Sequence, residues 1–470
     1  MKRPTAAARL LLGTVLFAVA LVPSGIGSAA GSILYVDRGN GGCSDSGAGS
    51  LTQPFCTIRA AAGKVVAGQT VQVNEGTYPE AVNMVTSGTA TAPISFTTAH
   101  GATVTVSGQA NGFVISGKAW IAVTGFGVTK TTGYGIVVKN STHITISETH
   151  VSYSGKPVSG STRSGIRLDN ASDSVVSQNT VDHNTDSGIT VLYGSTRNDV
   201  RGNHVFMNAR QYSRAAAGIR LYSAPGNTIR NNVSHHNEDS GIESYTGSNA
   251  TLLYNNVTYD NGDHGIDNYV VTGQRIVANS VYRNVTAGIN VEGGSTGATI
   301  RNNVSVDNGI ASPRTHSNIR VDKESVSGTT MNDDLVSLRT AGQVLLIWNS
   351  ISYSSLASFQ AATKQEARGI QADPKWMSPS AGDFHLTAGS PAIDSANSGA
   401  NGQPTTDVEG NPRVDDPATP NTGVGPRGYD DRGAYEFQAG PGLAATPVAP
   451  LLKRYVLTRR ASGIAWRPSQ

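Results

Sequence analysis

The sequence predicts an all-β fold, a right-handed parallel β-helix with an N-terminal capping helix and a C-terminal covering segment. The first observation is a repeat, because Gly-Ile dipeptides recur every 23, 24 or 30 residues from Gly135 to Gly288, and Asn318-Ile319 continues the series. A fixed period of this size is typical of a solenoid. The second observation is composition: the 470 residues include 54 glycines and only 15% charged residues, without the excess of helix formers found in helical proteins.

The N-terminus has the features of a secretion signal. Lys2 and Arg3 precede an apolar run over residues 10–22, and small residues follow through Ala30. This pattern predicts a signal peptide over residues 1–30 and a secreted, extracellular mature protein. The apolar run is short for a membrane span and no later stretch of the sequence offers one, so we expect no span. In an oxidising compartment, Cys43 and Cys56 are expected to form a disulfide in the N-terminal cap.

Residues 31–91 are expected to form the N-terminal cap and the first strands. Apolar residues between positions 57 and 67 follow helical spacing, and residues 70–74 alternate as a strand. A helix that leads into a strand suits the end of a solenoid, because terminal units differ from the inner ones.

The regular coils are expected over residues 92–330. Within them, asparagines recur in pairs five residues apart, namely Asn179 and Asn184, Asn203 and Asn208, Asn232 and Asn237, Asn256 and Asn261, Asn279 and Asn284, and Asn303 and Asn308. Asparagine tolerates the left-handed conformation of tight bends, and stacked copies can bond their amides from coil to coil. Short strands that repeat in this way predict coils about 4.8 Å apart.

Three of the steps between Gly-Ile dipeptides are 30 residues long, and their extra residues always lie just before the next dipeptide. Insertions at one position of a solenoid project from one face, which is often the binding face. These predicted loops carry Arg214 and Arg314 among other basic residues. We therefore expect the Gly-Ile strands to form the functional face.

In each Gly-Ile strand the isoleucine is expected to point inward, so that the residues one and three positions later point outward. The first outward column then reads Val137, Arg167, Thr190, Arg220, Glu243, Asp267, Asn290 and Arg320. The second column reads Lys139, Asp169, Leu192, Tyr222, Tyr245, Tyr269, Glu292 and Asp322. Asp239 and Asp263 stand two residues before their glycines. The face therefore predicts a groove for an extended polyanion, with basic flanks and a cation site at its acidic centre.

Beyond residue 330 the repeat fades. Residues 331–438 are expected to form a covering segment that lies on the last coils and protects the open edge. Within it, residues 354–368 follow the pattern of an amphipathic helix. Residues 439–470 are rich in proline, alanine and arginine and predict a disordered tail.

The acidic centre resembles the calcium site of the parallel β-helix pectate lyases of polysaccharide lyase family 9. In that family an Asp is followed one coil later by Asp-Asp-Gly-x-Asp, and here Asp239 is followed 24 residues later by Asp263-His264-Gly265-Ile266-Asp267. The resemblance implies a calcium ion bound by Asp239, Asp263 and Asp267, with Glu243 or, as an alternative, Glu238 as a further ligand. His264 stands where the family has its second Asp. The family's lysine base has no counterpart in residues 287–308.

The coils also resemble the β-helix module of mannuronan C5-epimerases, since His264-Gly265-Ile266 is similar to part of their Arg-His-Gly-Phe step. The Tyr-x-x-Asp-Pro-His element of those enzymes is absent from the sequence. The Gly-His-Gly and Arg-Ile-Lys motifs of polygalacturonases are absent as well, which argues against hydrolysis.

Lyases and epimerases both begin by removing the proton α to a uronate carboxylate, so that carboxylate must be neutralised where charge develops. Arg220 and Arg214 are expected to grip it, because a guanidinium matches the flat carboxylate. His264, and Tyr245 if its neighbours make it acidic, are the candidates for proton transfer. The residues expected to line the substrate groove are Arg167, Tyr222, Tyr269 and Arg320.

We therefore expect a secreted lyase that cleaves an acidic, uronate-containing polysaccharide by β-elimination. The alternatives are a uronan C5-epimerase and a non-catalytic carbohydrate-binding or cell-surface β-helix protein. A net charge of only +3 gives no general attraction for nucleic acid. We expect a monomer whose partner is the acidic polysaccharide.

Overall fold

The computed structural model describes residues 32–209, 216–310, 312 and 314–438. In this part of the chain, three parallel sheets of 12 strands each wind into a right-handed β-helix with two α-helices. The predicted fold class is therefore confirmed. Within the same residues, no helix is long and apolar enough to cross a membrane. The predicted signal peptide and the predicted disordered tail lie outside the described residues.

The Gly-Ile sheet is named for the dipeptides that open most of its strands. Its strands are Val82–Asn83, Phe113–Ser116, Ile136–Lys139, Ile166–Asp169, Ile189–Leu192, Ile219–Tyr222, Ile242–Tyr245, Ile266–Tyr269, Ile289–Glu292, Ile319–Val321, Leu346–Trp348 and Ile351–Tyr353. Neighbouring strands pair in parallel, except that the last two are antiparallel.

The second and third sheets complete each coil. The second sheet contains Ile33–Val36, Thr70–Val73, Ile94–Thr98, Ala119–Thr124, Thr142–Ser147, Val175–Ser177, Asp199–Arg201, Thr228–Arg230, Leu252–Tyr254, Arg275–Val277, Thr299–Arg301 and Thr330–Asn332. The third sheet contains Gly76–Tyr78, Val104–Ser107, Gly127–Thr129, His150–Ser152, Thr180–Asp182, His204–Phe206, Val233–His235, Val257–Tyr259, Ser280–Tyr282, Val304–Val306, Leu335–Ser337 and Ile370–Gln371. A separate antiparallel pair joins Trp376–Ser378 to Asp383–Leu386, and two 3-10 turns span Lys323–Ser325 and Pro379–Ala381.

The isoleucines of the Gly-Ile dipeptides point inward, as predicted. They are fully buried in the main core, and they are Ile136, Ile166, Ile189, Ile219, Ile242, Ile266, Ile289 and Ile319. Full burial of such a side chain contributes about 1.5–3 kcal/mol relative to leaving it in water. This inward stack fixes which residues of each strand face solvent, because side chains alternate along a strand.

Two ladders of buried asparagines run along the bends, and their coil-to-coil bonds match the prediction. Asn256 is typical: its backbone N–H and its Nδ2 donate to Asn279 Oδ1 at 2.9 and 3.1 Å, and Nδ2 also donates to the Ile229 carbonyl at 2.8 Å. The left-handed conformation, however, belongs to the residue before the ladder position, for example Asn255 with φ 51°. One ladder contains Asn179, Asn203, Asn232, Asn256, Asn279 and Asn303, and the other Asn184, Asn208, Asn237, Asn261, Asn284, Asn308 and Asn318.

The first ladder continues with carboxyl groups in place of amides. Asn303 donates from N–H and Nδ2 to Asp334 Oδ1 at 2.7 and 2.9 Å, and the Asp334 N–H donates to Glu366 Oε2 at 3.2 Å. Burial and the neighbouring Asp334 raise the pKa of Glu366 well above its ordinary value. The coils therefore extend to the strand Ile370–Gln371, beyond the point where the repeat fades in the sequence, because carboxyl groups replace the asparagine signature.

A short helix lies at each end of the solenoid. Helix α1, Ile58–Lys64, begins after Thr57, whose side chain accepts a hydrogen bond from the Ala60 N–H. Helix α2, Leu356–Thr363, ends where Lys364 adopts a left-handed conformation with φ 61°. Both helices are shorter than the predicted ranges 57–67 and 354–368, because the backbone leaves the helical region earlier. Buried residues of both join the main core.

The predicted disulfide between Cys43 and Cys56 is confirmed, with 13 residues of sequence separation. Asp45 Oδ1 accepts hydrogen bonds from the N–H groups of Cys56 and Thr57 at 2.8 and 2.9 Å. The disulfide loop is thereby connected to the start of α1.

Residues 373–438 lie against the flank of the solenoid, where the second sheet turns into the third. Asn231 Nδ2 donates to the Asp407 carbonyl at 2.9 Å, and Asn255 Nδ2 donates to the Thr406 carbonyl at 2.8 Å. A second apolar cluster joins Trp376, Phe384, Leu386 and Ile393 of this segment to Val257, Tyr282, Val304 and Val306 of the third sheet. The covering segment therefore reaches back to coils far from the C-terminal end.

Candidate active site

The outward side of the Gly-Ile sheet aligns the predicted columns coil by coil. In the first column, the strand register places Arg220, Glu243, Asp267, Asn290 and Arg320 side by side in successive coils. In the second column, it does the same for Tyr222, Tyr245, Tyr269 and Glu292. The alternation of the strands and the fixed step between coils account for this alignment.

The middle of the first column is buried, although its side chains point away from the core. Glu243, Asp267 and Asn290 are 2%, 5% and 0% exposed, whereas the side chain of Arg220 is 25% exposed. The sequence predicts an open groove at this place. The structure instead buries these three side chains.

The loop before Asn318, which belongs to one of the three 30-residue steps, contacts the acidic centre. In this loop, Arg314 Nη2 donates a hydrogen bond to Asp263 Oδ2, and Thr315 Oγ1 lies 3.1 Å from His264 Nε2. Both contacts join residues 51 positions apart in the sequence. The loop thereby places one guanidinium and one hydroxyl over the acidic centre.

Asp239 and Asp263 form a carboxyl pair just before two adjacent Gly-Ile strands. Burial, a hydrogen bond to Asp263 and the nearby negative charges raise the pKa of Asp239 to about 8. Burial also acts to raise the pKa of Asp263. That pKa is nevertheless lowered, because Asp263 lies near the charges of His264 and Arg314 and has hydrogen bonds with Thr286 and Asp239. Asp239 therefore binds a proton more readily than Asp263.

Glu243 and Asp267 are the buried acids of the first column. Arg220 Nε lies 3.1 Å from Glu243 Oε2, and Asn290 Nδ2 donates to Asp267 Oδ1 at 2.8 Å. Burial raises the pKa of both acids, against the opposing effect of Arg220 on Glu243 and of His264 on Asp267. The charge of this centre therefore depends on the basic groups that face it.

His264 lies beneath this surface, with 1% exposure. Its Nδ1 lies 3.5 Å from Asp263 Oδ1 and 3.7 Å from Asp267 Oδ2. On the other side of the ring, Nε2 lies 3.1 Å from Thr315 Oγ1. The role of His264 in proton transfer stays a prediction, and as placed the imidazole lies beside two carboxylates.

Tyr245 differs from the expectation that its neighbours make it acidic. Burial, together with the charges of Glu243 and Asp267, raises its pKa to about 12. Its ring stacks against Tyr269 with centroids 4.7 Å apart, and Arg220 Cζ lies 5.4 Å from its centroid. Tyr245 therefore keeps its proton at neutral pH and supports the guanidinium of Arg220.

Arg320 closes one end of the first column. Its Nη1 donates to Asn290 Oδ1 at 2.8 Å and to Glu292 Oε2 at 2.6 Å. Because Asn290 also bonds Asp267, Arg320 is connected to the acidic centre through one side chain. The predicted substrate residue is thus present at the site, but it is held by two protein acceptors.

The predicted residues at the other end lie farther from the acidic centre. Arg167 stands two coils before Arg220 in the same column and donates to Asp169 Oδ2 at 2.9 Å. Tyr222 precedes Tyr245 by one coil in the second column. Arg214 lies outside the described residues.

The four predicted calcium ligands are Asp239, Glu243, Asp263 and Asp267. Their oxygens already have protein partners. Arg220 pairs with Glu243, and Arg314 and Thr286 donate to Asp263. Asn290 donates to Asp267, and Asp239 and Asp263 share a hydrogen bond. Over residues 32–209, 216–310, 312 and 314–438, no group of three or more His, Cys, Asp or Glu side chains is arranged to hold a metal ion. Calcium takes about six to eight oxygens around one point. These oxygens already have protein partners, so calcium binding stays a prediction, and no step below uses the ion.

Three residues of the site lie outside the set predicted for it. Thr286 and Thr315 carry no sequence signal, and Arg314 is predicted only as a loop residue. The 30-residue spacing locates the loop on the correct face. It does not indicate which loop residue turns back onto Asp263, because that contact depends on the path of the loop.

Some known proteins are similar to this chain in sequence or in structure. A curated relative, the uncharacterized protein YwoF of Bacillus subtilis (strain 168), is 28% identical, and the match covers 77% of this chain and 92% of that protein. The solved structure of pectate lyase Pel9A has a TM-score of 0.58 at 18% identity and covers 88% of this chain and 98% of its own. A family 6 polysaccharide lyase from Pseudopedobacter saltans has a TM-score of 0.47 at 13% identity, covering 72% and 96%. At these identities the structural likeness concerns the fold.

The family model described as "Right handed beta helix region" matches residues 111–273 and 216–356. The two matches overlap and together span more than half of the 470 residues. The strands in this span form the coils that carry the acidic centre. The chain therefore belongs to the right-handed β-helix family.

Proposed function

We propose that the protein is an extracellular lyase that cleaves an acidic, uronate-containing polysaccharide by β-elimination. The observation that carries this proposal is the acidic cluster Asp239, Glu243, Asp263 and Asp267, faced by the guanidiniums of Arg220 and Arg314. Such a reaction requires a cation for the uronate carboxylate and a base with a pKa near the working pH. The cluster supplies candidates for both. The disulfide supports an oxidising, extracellular location.

The two arginines are the groups that would neutralise the substrate carboxylate. Their side chains are 25% and 46% exposed, although each pairs with a carboxylate of the cluster. A guanidinium has five N–H donors, and one carboxylate engages at most two of them well. We expect the uronate carboxylate to lie at these two guanidiniums, whose positive charge stabilises the negative charge that develops when the α proton leaves.

Asp239 is the base that the electrostatics support best. Its pKa of about 8 means that it accepts a proton more readily than an ordinary aspartate. In the proposed step, Asp239 takes the proton α to the uronate carboxyl, the electron pair forms the new carbon–carbon double bond, and the glycosidic oxygen leaves. Tyr245, with a pKa of about 12, stays protonated and can donate its proton to that oxygen.

The experiment follows the ultraviolet absorbance of unsaturated uronides while the purified full chain acts on polygalacturonate, alginate, glucuronan and a glycosaminoglycan. We expect a rise on one of these polymers, and its loss in Asp263→Asn. Asp260→Asn is the matched control, because Asp260 pairs with Arg283 at 3.3 Å outside the acidic cluster and has φ 51°, which asparagine tolerates. A flat trace on every polymer would rule out the lyase. Analysis of the C5 configuration of the recovered polymer would then separate epimerisation from binding alone.

A further inference from the structure

A second cleft lies away from the acidic cluster, between the second sheet and the covering segment. Its volume is about 780 Å³, and it is lined by Arg197, Asp199, Arg230 and Tyr254 on one side and by residues 402–406 on the other. This volume lies within the range of about 300–1,000 Å³ that is typical of sites for small ligands. The lyase reaction proposed above does not use any of these residues.

The outer wall of the cleft is held in place by direct contacts. Asn255 Nδ2 donates to the Thr406 carbonyl at 2.8 Å, and Asn231 Nδ2 donates to the Asp407 carbonyl at 2.9 Å. Gly402 has φ 98° and lies so close to Leu252 that a Cβ on it would be 2.7 Å from Leu252 Cδ1. These contacts fix the shape of the cleft, because they hold a loop of the covering segment against the coils.

The charge of the cleft favours an anion. Arg197 donates from Nε and Nη2 to Asp173 at 2.7 Å each, and Arg230 donates from Nε and Nη2 to Asp199 at 2.9 and 2.8 Å. Arg201 also pairs with Asp199, so that three guanidiniums face two carboxylates. Each bidentate pair fixes the plane of its guanidinium and uses two of the five N–H groups. Arg230 also hydrogen-bonds the Tyr254 side chain, so both arginines of the cleft are held in place by protein partners.

The remaining surface suits a sugar ring. The Tyr254 ring lies 5.9 Å from Arg230 Cζ, and Leu252 adds apolar surface to the same wall. Thr228 and Gln403 bring polar side chains to the two sides of the cleft. Carbohydrates combine apolar faces with hydroxyl groups, and sites of this kind pair apolar walls with a few polar groups that set orientation.

We propose that this cleft binds a short, carboxylate-bearing segment of an anionic polysaccharide, at a site separate from the acidic cluster. The arginines recognise the uronate carboxylates, while Tyr254 and Leu252 contact the sugar rings. A second attachment point raises the effective concentration of the polymer at the protein, even though it takes no part in bond cleavage. This inference requires an anionic polysaccharide ligand, but it does not require the Gly-Ile face to be catalytic.

The test measures calorimetric binding of trigalacturonate and of a mannuronate trimer to the full chain carrying Asp263→Asn, which prevents turnover. Two further changes probe the cleft in this background. Arg197→Ser with Arg230→Gln removes the cations, and Thr405→Trp on the exposed loop fills the cleft without changing its charge. We expect each to weaken binding of one of the two trimers at least tenfold, with unchanged circular dichroism and melting temperature, and neutral maltotriose not to bind.

The outcomes of this test are distinct from those of the lyase assay. Binding that keeps its full affinity in both cleft variants would overturn the inference, as would absence of binding by both acidic trimers or equal binding of maltotriose. A flat ultraviolet trace with binding that depends on Arg197 and Arg230 would instead overturn the lyase and leave the second site standing.

Discussion

Arg220 Nε lies 3.1 Å from Glu243 Oε2 on the next coil, and Arg220 Cζ lies 5.4 Å from the centroid of Tyr245. One partly exposed guanidinium therefore meets a buried acid and an aromatic ring at once. Burial raises the pKa of Glu243, and Arg220 acts against that rise. Arg220 thus reduces the free-energy cost of burying the Glu243 carboxylate. It also faces the position proposed for a substrate carboxylate.

Replacing Arg220 by lysine is expected to lower kcat/KM about 100-fold, because removal of one well-placed donor to a developing charge costs about 10²–10³ in rate. Lysine keeps the charge but lacks the planar fork that matches a carboxylate. The ultraviolet assay on the responsive polymer measures the change. Arg283→Lys, in the Asp260 pair, is the control and is expected to keep the wild-type rate. Full activity in Arg220→Lys would remove this arginine from the proposed mechanism.

The pH dependence follows from Asp239, whose pKa is raised to about 8 by burial, by its hydrogen bond with Asp263 and by nearby negative charge. A base works only in its unprotonated form, so activity is expected to rise as the pH increases through about 8 and to fall as the pH drops below it. Initial rates measured between pH 5 and 10 would show the pH at which activity rises. The Asp239→Asn variant should lose both the activity and its rise with pH. A rate that is flat across this range would contradict the assignment of Asp239 as the base.

The calcium prediction can be decided by chelation. Because protein donors face the oxygens of the four carboxylates, turnover is expected to persist after treatment with a chelator and to show no dependence on added calcium. The measurement is the ultraviolet rate of protein dialysed against chelator, with and without calcium restored. Loss of the rate on chelation and its return with calcium would show that the carboxylates rearrange around an ion, as the resemblance to family 9 implies.

The asparagine ladder is expected to stabilise the solenoid. In Asn256→Ala, the N–H of Asn232 and the Ile229 carbonyl lose buried partners, at a cost of about 1–3 kcal/mol for each group left unsatisfied. We therefore expect a clear drop in the midpoint of urea unfolding. Thr296→Ala removes an exposed hydroxyl contact of 3.3 Å with Thr272 and is expected to change stability by less than about 0.5 kcal/mol. Equal midpoints for the two variants would mean that the ladder is not a main source of stability.

Much of the fold follows from spacing along the chain. The inward isoleucines and the outward columns repeat every 23, 24 or 30 residues, and the paired asparagines of the two ladders repeat every 23, 24 or 29 residues. The structure places each set in register. The end of the solenoid is harder to predict, because Asp334 and Glu366 take over the ladder positions of asparagine. Their carboxyl groups preserve the hydrogen bonds but remove the sequence signature.

The candidate site is less predictable than the fold. The columns bring Arg220, Glu243 and Asp267 together as expected, yet the repeat does not indicate that His264 is buried or that the pKa of Tyr245 is raised. Both effects arise from neighbours that cover the centre, and exposure of a side chain is not readable from the repeat itself.

By itself, the sequence determined the period, the register and the face that carries the acidic residues, because a solenoid repeats local geometry and each coil copies the one before it. Only the tertiary structure decided that Arg314 and Thr315 reach Asp263 and His264 across 51 residues, and that the loop at 402–406 forms a second cleft with Arg197 and Arg230. These contacts lie outside the repeat. They depend on the path that a long connection takes over the surface, and no spacing along the chain encodes that path.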